Sequence, residues 1–85
     1  MKAILKFEST GKKHNDENGF FSFLVKQEFN HIGSRVIQWC KIEALTVTIE
    51  ALTPEVVEWG IDTLKNGIKT PTGYEYSLKS VLVLN

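Results

Sequence analysis

The 85-residue sequence contains little cysteine, methionine or proline: one Cys, one Met and two Pro. With Cys40 as the only cysteine, no disulfide can form within the chain, which excludes small secreted scaffolds held together by disulfides. The apolar runs are too short for a transmembrane helix, and the first residues lack the pattern of a secretory signal. We therefore expect a cytoplasmic protein that does not associate with a membrane.

The sequence also lacks an excess of charge of either sign. Ten basic residues balance ten acidic residues. Proteins that coat DNA usually carry a basic excess, so this balance argues against that class. Aromatic and β-branched residues are frequent, and the length suits one hydrophobic core, so we predict a single compact domain over residues 1–85.

The clearest local pattern is that of a helix over residues 53–67. Thr53 can cap the first turn, Pro54 suits the first helical position, and Asn66-Gly67 can end the helix in a left-handed turn. Apolar residues recur at helical spacing and predict one buried stripe. They are Val57, Ile61, Leu64 and Ile68.

Other segments alternate between apolar and polar residues and predict strands. These are residues 2–8, 20–29 and 74–84, with a polar loop over 9–19 and a turn over 30–34 around Gly33. Phe21, Phe23, Val25 and Phe29 are predicted to share one face of the second strand, after a turn at Asn18-Gly19. In the last strand, one face would carry Tyr74, Tyr76, Leu78, Leu82 and Leu84. Val81 and Val83 make its end apolar on both faces, which is typical of a central or well-covered strand.

The apolar alternation changes phase within residues 35–52. Up to Ala44 the even positions carry the apolar residues Val36, Cys40, Ile42 and Ala44, and from Leu45 the odd positions are apolar. A bulge near Glu43–Ala44, two strands joined by a tight bend, or a helical turn within 36–45 would each explain the change. The β-branched run at residues 46–49 favours strand on both sides.

Together these segments predict an α+β fold. We expect an antiparallel sheet of four to five strands with one α-helix packed on one face, in the order β-β-β-(β)-α-β. The second face of the sheet would then be open to solvent or bound to a partner.

No group of residues has the spacing of a catalytic, metal or cofactor site. His14, His31 and Cys40 do not form the ligand spacings typical of zinc sites. Cys40 lies in line with apolar neighbours, as a buried structural cysteine does, and residues 9–13 lack the frame of a phosphate-binding loop. We therefore predict that the protein is not an enzyme and uses no cofactor.

A protein-binding function is the main hypothesis from the sequence. Trp39 lies among charged residues on the predicted outer face of a strand, which is typical of an interface hot spot. The competing explanations are that Trp39 covers the second face of the sheet or packs in a homodimer. A small neutral domain of this kind suits an inhibitor carried by a phage or mobile element, which blocks a larger target protein. The predicted partner-binding residues are Lys12, Lys13, His14, Arg35, Ile37, Trp39 and Lys41.

The alternative hypothesis is binding of single-stranded nucleic acid. Phe20, Phe21 and Phe23 cluster on a predicted strand beside a loop that contains Lys12 and Lys13. Aromatic side chains on a sheet, with basic neighbours, can stack against unpaired bases.

Overall fold

A computed structural model describes residues 1–31 and 40–85 of the chain. These residues form an antiparallel sheet and two helices, which confirms the α+β class. The elements are β1 (Lys2–Ser9), α1 (Glu17–His31), β2 (Cys40–Glu43), β3 (Thr46–Glu50), α2 (Pro54–Leu64), β4 (Ile68–Lys69) and β5 (Glu75–Leu84).

The five strands lie in the order β2-β3-β1-β5-β4, and every neighbouring pair is antiparallel. It follows that β1 and β2 run in the same direction on either side of β3, and that β3 and β5 do so on either side of β1. Because α1 connects β1 to β2 and α2 lies between β3 and β5, the chain forms two interleaved β-α-β units. The antiparallel sheet is as predicted, whereas the single helix and the element order were wrong.

The helix α1, which the sequence analysis did not predict, replaces a predicted strand over residues 20–29. Asn18-Gly19, which we interpreted as a turn, lies in its first turn. The Gly19 N–H donates to Asp16 Oδ1 at 3.1 Å, so Asp16 caps the helix. The helix continues through His31, so the predicted turn at 30–34 is wrong for Asn30 and His31.

The residues that α1 buries have helical spacing. Phe21, Leu24, Val25 and Phe29 are buried, which is the pattern i, i+3, i+4 and i+8. Phe23, predicted on the same face as Phe21, is exposed. The alternation of Phe21, Phe23 and Val25 favoured a strand, but burial of one helical stripe against the sheet determines the structure.

The helix α2 agrees with the prediction over most of its length. It starts at Pro54, after an extended Thr53 whose side chain makes no capping hydrogen bond. The chain leaves the helix through Gly67, which has a φ of +78° and donates its N–H to the Leu64 carbonyl at 2.9 Å. Ile68 is buried, as predicted, but it belongs to β4.

Residues 40–50 form two strands joined by a tight turn, which was one of the three alternatives for this segment. Ala44 and Leu45 both have positive φ, 51° and 59°, as in a type I′ hairpin turn. Residues 32–39 lie outside the described part of the chain, and with them Gly33 and Trp39.

One face of the sheet packs against the helices. The predicted inward face of β1 is confirmed, since Ala3, Leu5 and Phe7 are all buried. Tyr76 of β5 is fully buried, and its ring meets the ring of Phe21 edge-on at 5.1 Å. The rest of the buried core is Leu24, Val25, Phe29, Val47, Ile49, Ala51, Val57, Leu64 and Ile68.

Candidate protein-docking edge

The outer side of β5 is only partly covered by a neighbouring strand. On its inner side, β5 pairs with β1 from Tyr76 to Leu84. On its outer side, β4 pairs with Glu75 and Tyr76 alone. Within residues 1–31 and 40–85, the stretch Ser77–Leu84 therefore has no strand on its outer side, and we call this stretch the β5 edge.

The end of the β5 edge is apolar and accessible. Val81, Leu82, Val83 and Leu84 are 40%, 54%, 43% and 43% exposed. A strand at the edge of a sheet offers unpaired N–H and C=O groups to other chains, and soluble proteins usually protect such strands with charged residues or proline. The β5 edge has one charged residue, Lys79, and no charge follows it.

A bulge at Lys79 determines which face each of these side chains occupies. Lys6 pairs with Ser80 and Phe7 pairs with Leu78, so Lys79 has no partner on β1. Beyond the bulge, Val81 and Val83 pair with the buried Leu5 and Ala3, so they lie on the face of the sheet that packs against the helices, the helix side. Leu82 and Leu84 lie on the opposite face, the open side. Our prediction that Leu82 and Leu84 share a face with Tyr76 and Leu78 was therefore wrong.

The apolar surface extends from β5 onto β1. Leu82 pairs with the half-buried Ile4 on the open side of the sheet. On the other side, α2 packs against β1 and β3, which lie further in than β5. The valines of the outer strand therefore keep part of their surface exposed, and both faces of the β5 edge are apolar.

A cleft of about 460 Å³ lies beside the end of the β5 edge. The strongly exposed Leu52 and an ion pair of Lys2 with Glu50, at 4.0 Å, contribute to its walls. Its lining residues are Met1, Lys2, Glu50, Ala51, Leu52, Leu84 and Asn85. Its volume can accept a side chain of a segment that binds next to Leu84.

The described residues of the predicted binding set do not come together. The Lys12 N–H donates to the Gly73 carbonyl at 3.0 Å, which places the loop of Lys12, Lys13 and His14 near the start of β5. Lys41 lies on β2, at the opposite edge of the sheet. Arg35, Ile37 and Trp39 lie outside the described residues.

The loop that carries Lys12 and His14 is held by aromatic contacts within the chain. The His14 ring stacks on Phe20, with ring centres 4.2 Å apart and an angle of 7° between the planes. Tyr74 meets Phe20 edge-on at 4.8 Å, and Lys12 Nζ lies 5.3 Å from the centre of the Tyr74 ring. These contacts attach the loop to α1 and to Tyr74, which directly precedes β5, and they give the cluster a structural role.

The aromatic residues behind the nucleic-acid hypothesis do not lie on a strand. All three belong to α1: Phe20 packs in the loop cluster, Phe21 is fully buried, and Phe23 is exposed. A buried ring cannot stack on a base. This geometry removes the stacking surface from which the hypothesis was argued.

Three titratable groups are perturbed by their surroundings. Burial, reinforced by the hydrogen bond that its hydroxyl donates to Glu17, raises the pKa of Tyr76. Hydrogen bonds from Thr10, at 2.8 Å, and from Lys69 lower the pKa of the partly exposed Glu75 carboxyl. Burial raises the pKa of the Cys40 thiol, opposite to the shift that activates a cysteine nucleophile.

Neither a metal cluster nor a membrane-spanning helix is found in the described residues. No three His, Cys, Asp or Glu side chains in 1–31 and 40–85 are grouped to hold a metal ion. Over the same ranges, neither helix has the length and hydropathy needed to span a bilayer.

Comparison with known proteins gives no match to a protein-family model, to a curated protein or to a solved structure. Function therefore has to be argued from the chain's own surface chemistry.

Sequence reasoning missed the β5 edge because it interpreted residues 81–84 as part of a covered strand. The apolar character on both faces was recognised, but the position of the strand within the sheet was not. The useful signal was the connector after α2, since residues 68–74 leave room for only a very short strand beside β5.

Proposed function

We propose that this protein binds other proteins by accepting an extended segment of the partner as an additional strand along the β5 edge. The observation that carries the proposal is the run of four half-exposed apolar residues on an edge that β4 leaves uncovered. Strand addition of this kind is a common mode of peptide recognition, in which backbone hydrogen bonds provide much of the affinity.

The side chains on the two faces of the β5 edge define the partner sequence. Alternate residues of a bound strand would contact Val81 and Val83 on one face, and Leu82 and Leu84 on the other. The edge from Ser77 to Leu84 spans about 26 Å at about 3.3 Å per residue, so it accommodates a segment of roughly eight residues. We expect this segment to be apolar on both faces and low in charge.

This function requires no catalytic residue. A strand captured by β5 is no longer available for its own interactions in the partner protein. Where the captured strand belongs to a larger protein, this occupation would inhibit that protein.

Selection from a displayed library of random peptides, followed by fluorescence anisotropy with the selected peptides, tests the proposal. Leu82→Lys should weaken peptide binding at least tenfold, because it places a charge in the apolar seam and because lysine protects strand edges. Phe23→Lys on α1 is the matched control, since Phe23 is 53% exposed and Leu82 is 54% exposed.

The proposal predicts that Phe23→Lys binds the selected peptides as tightly as the unmodified protein. Circular dichroism checks that both variants remain folded. Failure to select any peptide, or equal binding by both lysine variants, would contradict strand addition at the β5 edge.

A further inference from the structure

Building on the proposed function, we infer that the partner of the β5 edge is a second copy of this chain. The two β5 strands would run antiparallel about a two-fold axis and join the two sheets into one. Dimers with such symmetry use the same surface patch on both subunits, so the patch must be complementary to itself.

The β5 edge meets this requirement in a register centred on Leu82. Paired residues must lie on the same face of the joined sheet, so a residue can face its own copy or a residue an even number of positions away. When Leu82 faces Leu82 of the second copy, Val81 faces Val83 and Ser80 faces Leu84. All four half-exposed apolar side chains of each copy then lie in the seam.

The charges of the strand are compatible with this register. No charged side chain occurs in residues 80–85, so no charges face one another in the central part of the seam. Lys79 falls opposite Asn85 of the second copy. The two lysines are then separated by six residue positions, or about 20 Å at about 3.4 Å per residue.

The register also avoids the short strand β4. Pairing uses residues 79–85 of each copy, whereas β4 is paired only with Glu75 and Tyr76. The second copy can therefore lie along β5 without displacing a strand.

The size of the contact indicates a weak dimer. A specific interface buries at least about 1,000 Å² in total, or about 500 Å² from each copy. This is less than a tenth of the 5455 Å² of accessible surface of one chain. A seam of seven residues on each side lies at the low end of this range, so we expect a dissociation constant on the order of micromolar.

Cysteine cross-linking tests both the dimer and its register. In a Cys40→Ala background, Leu82→Cys places two thiols directly opposite each other, with Cα atoms about 4.5–5.5 Å apart, which is within the range of a disulfide. Leu84→Cys is the matched control on the same face, because residue 84 lies about 14 Å from its own copy in this register.

Under mild oxidation at high micromolar protein concentration, the Leu82→Cys variant should form a disulfide dimer at least ten times faster than the Leu84→Cys variant. A mixture of Ser80→Cys and Leu84→Cys chains should form the mixed dimer, because these two residues face each other. Light scattering of the Cys40→Ala protein should show a dimer that dissociates on dilution.

Equal cross-linking rates at positions 82 and 84 would overturn the pairing centred on Leu82, and a monomer at every protein concentration would overturn the dimer. Peptide binding separates this outcome from failure of the proposed function. A monomer that binds selected peptides in a Leu82-dependent manner overturns only the identity of the partner. A monomer that also shows no Leu82-dependent peptide binding overturns the β5 edge as a docking site.

Discussion

Substitution of Gly67 tests how the turn after α2 is packed against β5. Gly67 has a φ of +78°, and a Cβ atom added there would lie 2.6 Å from the Tyr76 carbonyl oxygen. Gly67→Ala therefore combines an unfavourable backbone conformation with a steric clash against the backbone of a core strand. We expect a measurable loss of stability from a single methyl group.

The loss can be estimated from these two causes. A left-handed conformation costs an L-residue about 1–2 kcal/mol, and an overpacked contact costs about 1–3 kcal/mol. The predicted decrease in the free energy of unfolding is therefore about 2–5 kcal/mol. A domain of 85 residues has a total stability of about 4–13 kcal/mol, so the expected loss is a substantial fraction of the total.

Gly73→Ala is the matched control for this prediction. Gly73 also has a positive φ, +98°, but no atom lies within 4 Å of an added Cβ. It should lose only the conformational part, about 1–2 kcal/mol. Urea denaturation followed by circular dichroism measures the stability of both variants. We expect the dependence of the free energy of unfolding on urea concentration to be the same for both variants and the unmodified protein. Equal losses for the two variants would refute the close approach of Gly67 to Tyr76.

Two further predictions concern Tyr76 and the β2–β3 hairpin. The pKa of Tyr76 is raised in the folded protein, so the folded state retains this proton above pH 10, where the unfolded state begins to lose it. The free energy of unfolding should therefore fall as the pH rises above about 10. We expect Tyr76→Phe to cost about 1.5–3 kcal/mol at neutral pH and to make this fall with pH less steep in alkaline unfolding experiments. An equally steep fall in the variant would contradict the raised pKa of Tyr76. Ala44 has a φ of 51° in a type I′ turn, so Ala44→Asn should raise the midpoint of thermal unfolding through about 0.5–1 kcal/mol of stabilisation. Ala44→Val should lower the midpoint, because a β-branched residue is strained at positive φ. A higher midpoint for Ala44→Val than for Ala44→Asn would contradict the type I′ turn.

Local signals in the sequence predicted the elements that they fully specify. The helix from Pro54 and the inward face of β1 followed from periodicity and turn residues, because neither depends on distant parts of the chain. The phase change in residues 35–52 located the hairpin turn at Ala44-Leu45, although the sequence alone did not separate a bulge from a turn.

The errors arose where long-range contacts decide the structure. The alternation of Phe21, Phe23 and Val25 suggested a strand, and only the exposure of Phe23 and the burial of Leu24 reveal helical spacing. In β5, the bulge at Lys79 moved Leu82 to the opposite face, and its position depends on the register with β1. The exposure of the β5 edge depends on strand order, which periodicity does not encode.

Amide hydrogen exchange along β5, measured by nuclear magnetic resonance, tests the central claim most directly. In dilute protein, amides of Ser77–Leu84 that point away from β1 should exchange rapidly, while those bonded to β1 exchange slowly. Raising the protein concentration or adding a selected peptide should slow the outward-pointing amides at residues 80–84 and leave those of α1 unchanged. Slow exchange of every β5 amide in dilute protein, or no change on binding, would contradict an open edge that accepts a strand.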